Sequence, residues 1–317
     1  MEAYICDAKN IKATIEKYGV AIVPNILDES EIKEMQTGMF DCLEHITQKF
    51  ETPIDRNKPE TFVEFFKLYP AHGMLLQHWQ IGHSQFIWNL RQNSKIVEIF
   101  ATIWECKPED LLCSFDGASF HLPSEVTKRG NFRDFWYHTD QSFTRPDFEC
   151  IQSWVTGFDV NESDATLAFI EGSHLLHREF QKQFEIEDKK DWFQTKNEHL
   201  EFYRSRGLKE QKIVCSAGSL VLWDSRTIHC GVPQMKIRDK PNFRCVVYIC
   251  MTDRKRATAA ALKKRQKAFE ETRMTTHWPH KPILFAKNPR TYGNPLPEVV
   301  DVEKPVLTEL GRKLVGY

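Results

Sequence analysis

The fold class this sequence predicts is mainly β with helical support, and three observations predict it. Short apolar runs bounded by Gly, Asn and Asp recur between residues 111 and 251, with no helix separating each from the next. That pattern favours an antiparallel sandwich or barrel over a doubly wound sheet. Helical periodicity is gathered ahead of them, in residues 1–110. A length of 317 residues fits one β-barrel enzyme with helical additions. The expectation is a single domain over 1–317. It has helical support in 1–110, a double-stranded β-helix (jelly roll) core in 111–251 with a charged insertion at 175–212, and a basic helix and Pro-rich tail in 252–317.

The elements follow in order. A helix over 8–17 leads into a strand over 20–24, punctuated by Gly19 and Pro24. Asp28 and Glu31 have the spacing of a capping box for a helix running to about Phe50, whose stripe of Met35, Met39, Phe40, Cys42, Leu43 and Ile46 is core. The aromatics of 51–82, among them Phe62, Phe65, Phe66, Tyr69, His72, His78 and Trp79, fill the gap between helices and sheet or wall a substrate. Helical spacing returns over 84–104, and Lys107 to Asp110 turns the chain into the strands.

Strands are expected over 111–122, with Gly117 as a bulge or close backbone approach, and over 136–140, 150–159, 166–170, 213–214, 219–223 and 244–251. The insertion, dense in charges and in aromatics such as Trp192, Phe193, Phe202 and Tyr203, holds a helix. It serves either as a lid over the open end or as a surface excursion. Arg254, Lys255, Arg256, Lys263, Lys264, Arg265 and Lys267 form a basic helix with a solvated face, packed through Ala260, Ala261, Leu262 and Phe269. A patch that binds an anionic substrate or nucleic acid is the alternative. The tail over 277–317 is expected as ordered coil across the surface.

Composition narrows the function. Hydrophobic residues at 41 % and charged residues at 27 % are ordinary for a soluble globular protein, and a net charge of −1 argues against wrapping nucleic acid. Nine cysteines without a CxxC pair indicate reduced thiols, not a disulfide framework or a zinc site. No leader or membrane-length apolar run is readable, so the chain is expected to be intracellular, soluble and cytoplasmic, without membrane contact.

The chemistry is organised around Trp136-Tyr137-His138-Thr139-Asp140-Gln141-Ser142. His138 and Asp140 are two apart, so on a strand both point to one face. An HxD alone is weak, because a polar strand end would read the same way. His229, following the apolar strand that ends at Trp223, is the best third ligand, with Arg244 beyond it at the start of another strand. Two histidines and a carboxylate on one face leave open positions, the arrangement of non-haem Fe(II) oxygenases.

With these residues in place the chain resembles the phytanoyl-CoA dioxygenase (PhyH) family of Fe(II)/2-oxoglutarate oxygenases over roughly residues 10–255. The resemblance extends to Lys17-Tyr18-Gly19-Val20-Ala21-Ile22-Val23-Pro24-Asn25-Ile26-Leu27, to Asp164-Ala165-Thr166-Leu167-Ala168-Phe169-Ile170-Glu171-Gly172-Ser173-His174, and to Gly218-Ser219-Leu220-Val221-Leu222-Trp223. It implies a cupin-like barrel in which Fe(II) is held by His138, Asp140 and His229. It also implies 2-oxoglutarate as co-substrate, O2 as oxidant, and hydroxylation of an unactivated C–H bond of a small molecule with release of succinate.

The far carboxylate of 2-oxoglutarate calls for a buried cation, and a guanidinium fits it better than an ammonium. The family places this arginine where Arg244 stands. Arg238 is the rival, disfavoured because a polar turn predicts exposure. By the same analogy His121 and Ser119, on one face of the preceding strand, touch the co-substrate, and Trp154 walls the pocket. A core or surface role for His121 and a core role for Trp154 stay open.

Gly231 departs from family members that carry a hydroxyl residue there, and Asp140 closes the halide route of related halogenases. Gly172 reads as a turn residue with unusual backbone angles. His174 and His177 are either substrate contacts or exposed loop histidines. The rival functions are a catalytically silent binding barrel and a cupin-type metal enzyme without 2-oxoglutarate. Substrate identity and oligomeric state are not legible.

Overall fold

A computed structural model describes residues 1–129, 136–238 and 240–317. Helix α1 (Ile11–Tyr18) ends at Gly19, whose φ of 79° lets the chain reverse directly into strand β1 (Val20–Val23). A side chain at Gly19 would also press on His174 and Thr227. Helix α2 (Glu29–Ile46) opens on the expected capping box, the Asp28 carboxylate accepting from the amides of Ser30 and Glu31 while Glu31 accepts from the Asp28 amide. It ends at Ile46, short of Phe50. Strand β2 (Leu75–Leu76) comes next, and the helix expected over 84–104 is two, α3 (Gln85–Arg91) and α4 (Ser94–Trp104). The division falls at Asn93, whose side chain caps a fresh N-terminus by accepting from the Lys95 amide.

The strand expected over 111–122 is likewise divided, into β3 (Leu111–Cys113) and β4 (Ala118–His121). Gly117 stands at the break, where any Cβ would collide with the Leu76 carbonyl. Then come α5 (Ser124–Thr127), β5 (His138–Thr139), β6 (Ile151–Thr156), β7 (Thr166–Ile170), α6 (His177–Gln183), β8 (Phe193–Gln194), α7 (Asn197–Arg204) and β9 (Glu210–Lys212). The core strands close with β10 (Leu220–Asp224), β11 (His229–Val232), β12 (Arg244–Tyr248) and β13 (Met251–Asp253), followed by α8 (Ala259–Glu270) and α9 (Glu309–Val315).

All ladders among the described strands are antiparallel. One sheet runs β1-β10-β6-β12-β4-β2, a second runs β8-β5-β11-β7-β9, and β13 pairs with β3 apart from both. The larger sheet is apolar on both faces. Ala21, Val155, Leu222, Cys245 and Val247 meet Met35, Met39 and Leu43 of α2, whereas Val20, Ile22, Trp154, Val221, Trp223 and Val246 meet Leu167 and Phe169 of the second sheet. Burial on both faces explains why β1 and most of β10 read as continuous apolar runs and not as alternation.

The insertion differs from expectation in one useful respect. It holds two helices, α6 and α7, packed through Phe180, Phe202 and Tyr203. It also adds β8 to the edge of the second sheet, pairing Gln194 with His138 and Phe193 with Thr139. It therefore abuts the HxD strand. In the C-terminal region Arg265 is fully buried, donating to the carbonyls of Cys113, Pro279, Leu314 and Val315, while Ala260 is exposed. So Arg265 does not belong to a solvated face, and its burial is supported by the carbonyls around it. The tail is not coil throughout, because α9 seats Leu314 and Val315 in the core.

Candidate metal centre

The two histidines meet because β5 and β11 pair with His138 directly opposite His229, their ring centroids 4.4 Å apart. Asp140 lies just past β5, its amide bonded to the Ser225 carbonyl at 3.2 Å. Its Oδ2 is 3.5 Å from His138 Nε2 and 3.3 Å from His229 Nε2. One ligand atom from each residue falls within 4.8 Å of the others, a spacing that can hold a metal ion.

The tautomers follow from the outer contacts. His138 Nδ1 lies 3.2 Å from the Trp136 carbonyl and His229 Nδ1 lies 2.9 Å from the Thr227 carbonyl. A carbonyl only accepts, so each Nδ1 carries a proton and each Nε2 is the nitrogen turned inward. Burial alone would push the Asp140 carboxyl up, but His138 and His229, with His277 nearby, hold it well below the usual carboxylate range. Burial, reinforced by His138, pushes His229 down. A carboxylate facing two imidazole Nε2 atoms is a donor set for a divalent first-row metal.

Three further side chains shape this centre. Gln152 Nε2, on β6, donates to Asp140 Oδ2 at 3.0 Å. The Trp136 ring stacks on His138 at 4.5 Å and on His72 at 4.3 Å. Trp192 of the insertion, 50 % exposed, lies 6.1 Å from the His138 ring. Gln152 was not singled out in the sequence, although it shares a face with Trp154, two residues on.

The remaining sequence candidates gather on the inner face of the larger sheet. Arg244 pairs across strands with His121; its Nε donates to Ser119 Oγ at 3.0 Å and its Nη1 to the Ala165 carbonyl at 2.9 Å. Its guanidinium sits over the Trp154 ring at 5.6 Å and beside Tyr248, which sequence reasoning did not single out for a role. Among the described residues no acid pairs with it. Trp154 is a core residue, its indole N–H without a partner among the described residues. His121 is buried too, its Nε2 unpartnered, and burial with Arg238 and Arg244 nearby pushes it down to about 4.

Arg238 is not in the exposed turn expected of it. Its side chain is 1 % exposed and is paired with Glu125 at 2.7 Å and Asp164 at 2.8 Å. His174 and His177 are not exposed either; their Nε2 atoms lie 3.0 Å from the Glu16 carbonyl and 3.1 Å from the Ser142 carbonyl. Gly172 takes the left-handed turn expected of it, at φ 74°. Gly231 has room beside it, Met74 being the nearest atom a Cβ would meet, at 3.8 Å.

A buried site with two histidines and one carboxylate on antiparallel strands defines a class of metal-binding β protein. The chain matches the phytanoyl-CoA dioxygenase (PhyH) family over residues 15–234 and belongs to that family. It is 29 % identical over 214 residues to Ava biosynthesis cluster protein O of Aspergillus versicolor, a match spanning 64 % of this chain and 66 % of that relative. Among solved structures it is similar to the Escherichia coli protein JW0805, at a TM-score of 0.61 and 14 % identity over 99 % of this chain and 85 % of that one. It is also similar to GlcNAc inducible gene 2 of Candida albicans, at 0.54 and 11 % identity over 84 % and 70 %. No helix among the described residues is long and apolar enough to cross a membrane.

Proposed function

We propose that the chain, as one catalytic unit on a double-stranded β-helix, is an Fe(II)- and 2-oxoglutarate-dependent dioxygenase that hydroxylates an unactivated C–H bond of a small molecule. The observation that carries this reading is the inward-facing set of His138 Nε2, His229 Nε2 and Asp140 Oδ2 in a PhyH-family chain. When bound, the metal and the keto acid supply, with O2, the oxidising power for the C–H bond and release succinate and CO2.

The protein's part is positional. The carbonyls of Trp136 and Thr227 hold both imidazoles in the ligating tautomer, and Gln152 keeps the Asp140 carboxylate aimed at them. Arg244 presents a buried guanidinium whose neighbours in contact are neutral, which suits the far carboxylate of 2-oxoglutarate. Ser119 positions the guanidinium through its Nε, while His121 and Trp154 line its flanks. Arg238 cannot serve in its place because Glu125 and Asp164 already occupy its prongs. The test is succinate formation by the purified chain with Fe(II), 2-oxoglutarate and O2. Absence of iron-dependent succinate, with or without an extract of small metabolites, would discard the reading.

A further inference from the structure

Two polar side chains beside the metal set belong to neither the ligands nor the arginine pocket. The segment between β3 and β4 lies against the tail that follows α8. Thr275 N donates to the Phe115 carbonyl at 3.0 Å, and Phe115 N donates to Thr275 Oγ1 at 2.9 Å. This pairing brings Asp116 and His277 close together from distant parts of the chain. His277 is in turn tied to the metal strand. Its carbonyl accepts from Cys150 Sγ at 3.6 Å, the Cys150 carbonyl accepts from Ser225 N at 3.1 Å, and the Ser225 carbonyl accepts from Asp140 N at 3.2 Å. His277 lies within electrostatic reach of both Asp116 and Asp140.

Neither group is satisfied. Asp116 is 7 % exposed; among the described residues its carboxylate accepts only from the Gly117 amide, at 2.8 Å, and has no ion-pair partner. The nearby Arg91 directs its terminal nitrogens to the carbonyls of Gly82 and Asp116 instead. His277 Nε2 is buried and has no hydrogen-bond partner among the described residues. A buried carboxylate without a cation is costly to maintain unless a ligand completes it.

On the dioxygenase reading, on which this inference rests, the charges of the divalent metal, Asp140, the doubly charged keto acid and Arg244 cancel. Burial pushes the Asp116 carboxyl up, and the buried Arg91 beside it acts on the carboxylate only from a distance, its terminal nitrogens being spent on carbonyls, so the carboxylate keeps no cation in direct contact. We propose that Asp116 and His277 hold the substrate through a protonated amine, the ammonium resting on the Asp116 carboxylate and a second hydrogen bond reaching His277 Nε2. Trp192, half-exposed beside His138, offers a flat apolar surface for the rest of the molecule, so ring-bearing primary amines are the class selected. Asp116 lies inside the family-matched span of 15–234 and His277 outside it.

The test uses the full chain loaded with Mn(II), which binds as iron does without turnover, and with 2-oxoglutarate. Tryptamine and tyramine are titrated calorimetrically against their neutral counterparts tryptophol and tyrosol. The amines are expected to bind at least about tenfold more tightly, a difference of about 1.4 kcal/mol. Asp116→Asn, which keeps an acceptor for the Gly117 amide, should erase most of that preference, and His277→Ala should weaken the amines several-fold. Amines no tighter than the alcohols, no binding of either, or a preference that survives in Asp116→Asn would overturn the proposal. If Asp116→Asn fails to fold, the wild-type comparison of amine with alcohol decides alone. Failure of the wild type to take up Mn(II) and 2-oxoglutarate would instead remove the dioxygenase reading beneath it.

Discussion

Gln152 donates to the same Asp140 oxygen that faces both histidine Nε2 atoms, at 3.0 Å, from a strand of the opposite sheet. The contact ties the two sheets together at the metal set and fixes the rotamer of the carboxylate. Partners of this kind typically tune metal affinity by about 10- to 100-fold. Gln152→Leu should therefore weaken Fe(II) or Mn(II) binding by about that factor, with thermal stability little changed. Calorimetric titration of the metal measures it, and unchanged affinity would mean that Asp140 is positioned by other contacts.

Loss of a ligand should be more severe. His138→Ala, Asp140→Ala and His229→Ala should each abolish iron-dependent succinate formation while the far-ultraviolet circular dichroism stays that of the wild type. Asp140→Glu should be nearly as damaging, because one added methylene moves the ligand oxygen by about an ångström where roughly 0.5 Å is tolerated. Near wild-type succinate production by a folded variant would sink the ligand assignment.

Stability should fall with acid before the carboxylates titrate. Burial pushes His83 down to about 3, and His121 and His177 down to about 4. The unfolded chain protonates them near 6.5, so below that pH it binds more protons than the folded chain does. Their contribution is complete above about pH 6.5 and is lost as pH drops toward about 4, at about 1.4 kcal/mol per unit for each histidine. Urea midpoints should fall steadily across that window. Burial pushes His280 down to about 4 as well, so His177→Gln should remove a quarter of the slope at most, and a midpoint flat from about pH 6.5 to 4.5 would contradict the argument.

The basic run on α8 divides into two kinds of residue. Lys263 and Lys264 are exposed, and replacing both with Gln should change stability by no more than about 0.5 kcal/mol and create or remove no nucleic-acid affinity. Arg265→Gln strands buried carbonyls of three separate segments, and should cost on the order of 3 kcal/mol. Chemical denaturation separates the two, and salt-sensitive binding of the wild type to DNA or RNA would restore the patch reading.

The contrast shows which features were legible in sequence. His138, Asp140 and His229 converge as their types and order indicated, because few other residues could supply such a donor set. The strands of 166–170 and 219–223 were readable because double-sided burial writes continuous apolar runs. Arg238, Arg265 and His174 looked like surface residues because their partners, such as Glu125 for Arg238 and Glu16 for His174, are distant in sequence and no local pattern announces them. Strand β5 falls inside the strand expected over 136–140, whereas β8 lies in a stretch dense in charge and shows no period of its own. Gln152 and His277 escape for the same reason: each gains meaning only from what the fold sets beside it.

Arg244 and Arg238 give the sharpest test, since both are buried and only one is paired with acids. If Arg244 anchors the C5 carboxylate of 2-oxoglutarate, Arg244→Ala leaves that carboxylate without its counter-charge, at a cost on the order of 3–5 kcal/mol. The Kd for 2-oxoglutarate should then rise by about two to three orders of magnitude. Iron affinity should hold, because no ligand is touched. Arg244→Lys should recover only part of the loss, since an ammonium cannot pair through two prongs. Arg238→Ala should show the opposite pattern. Stranding Asp164, and in part Glu125, should lower the unfolding midpoint, while 2-oxoglutarate affinity in the folded fraction stays within a few-fold of wild type. A loss of 2-oxoglutarate binding in Arg238→Ala with Arg244→Ala unaffected would move the co-substrate carboxylate to Arg238 and overturn the assignment of Arg244.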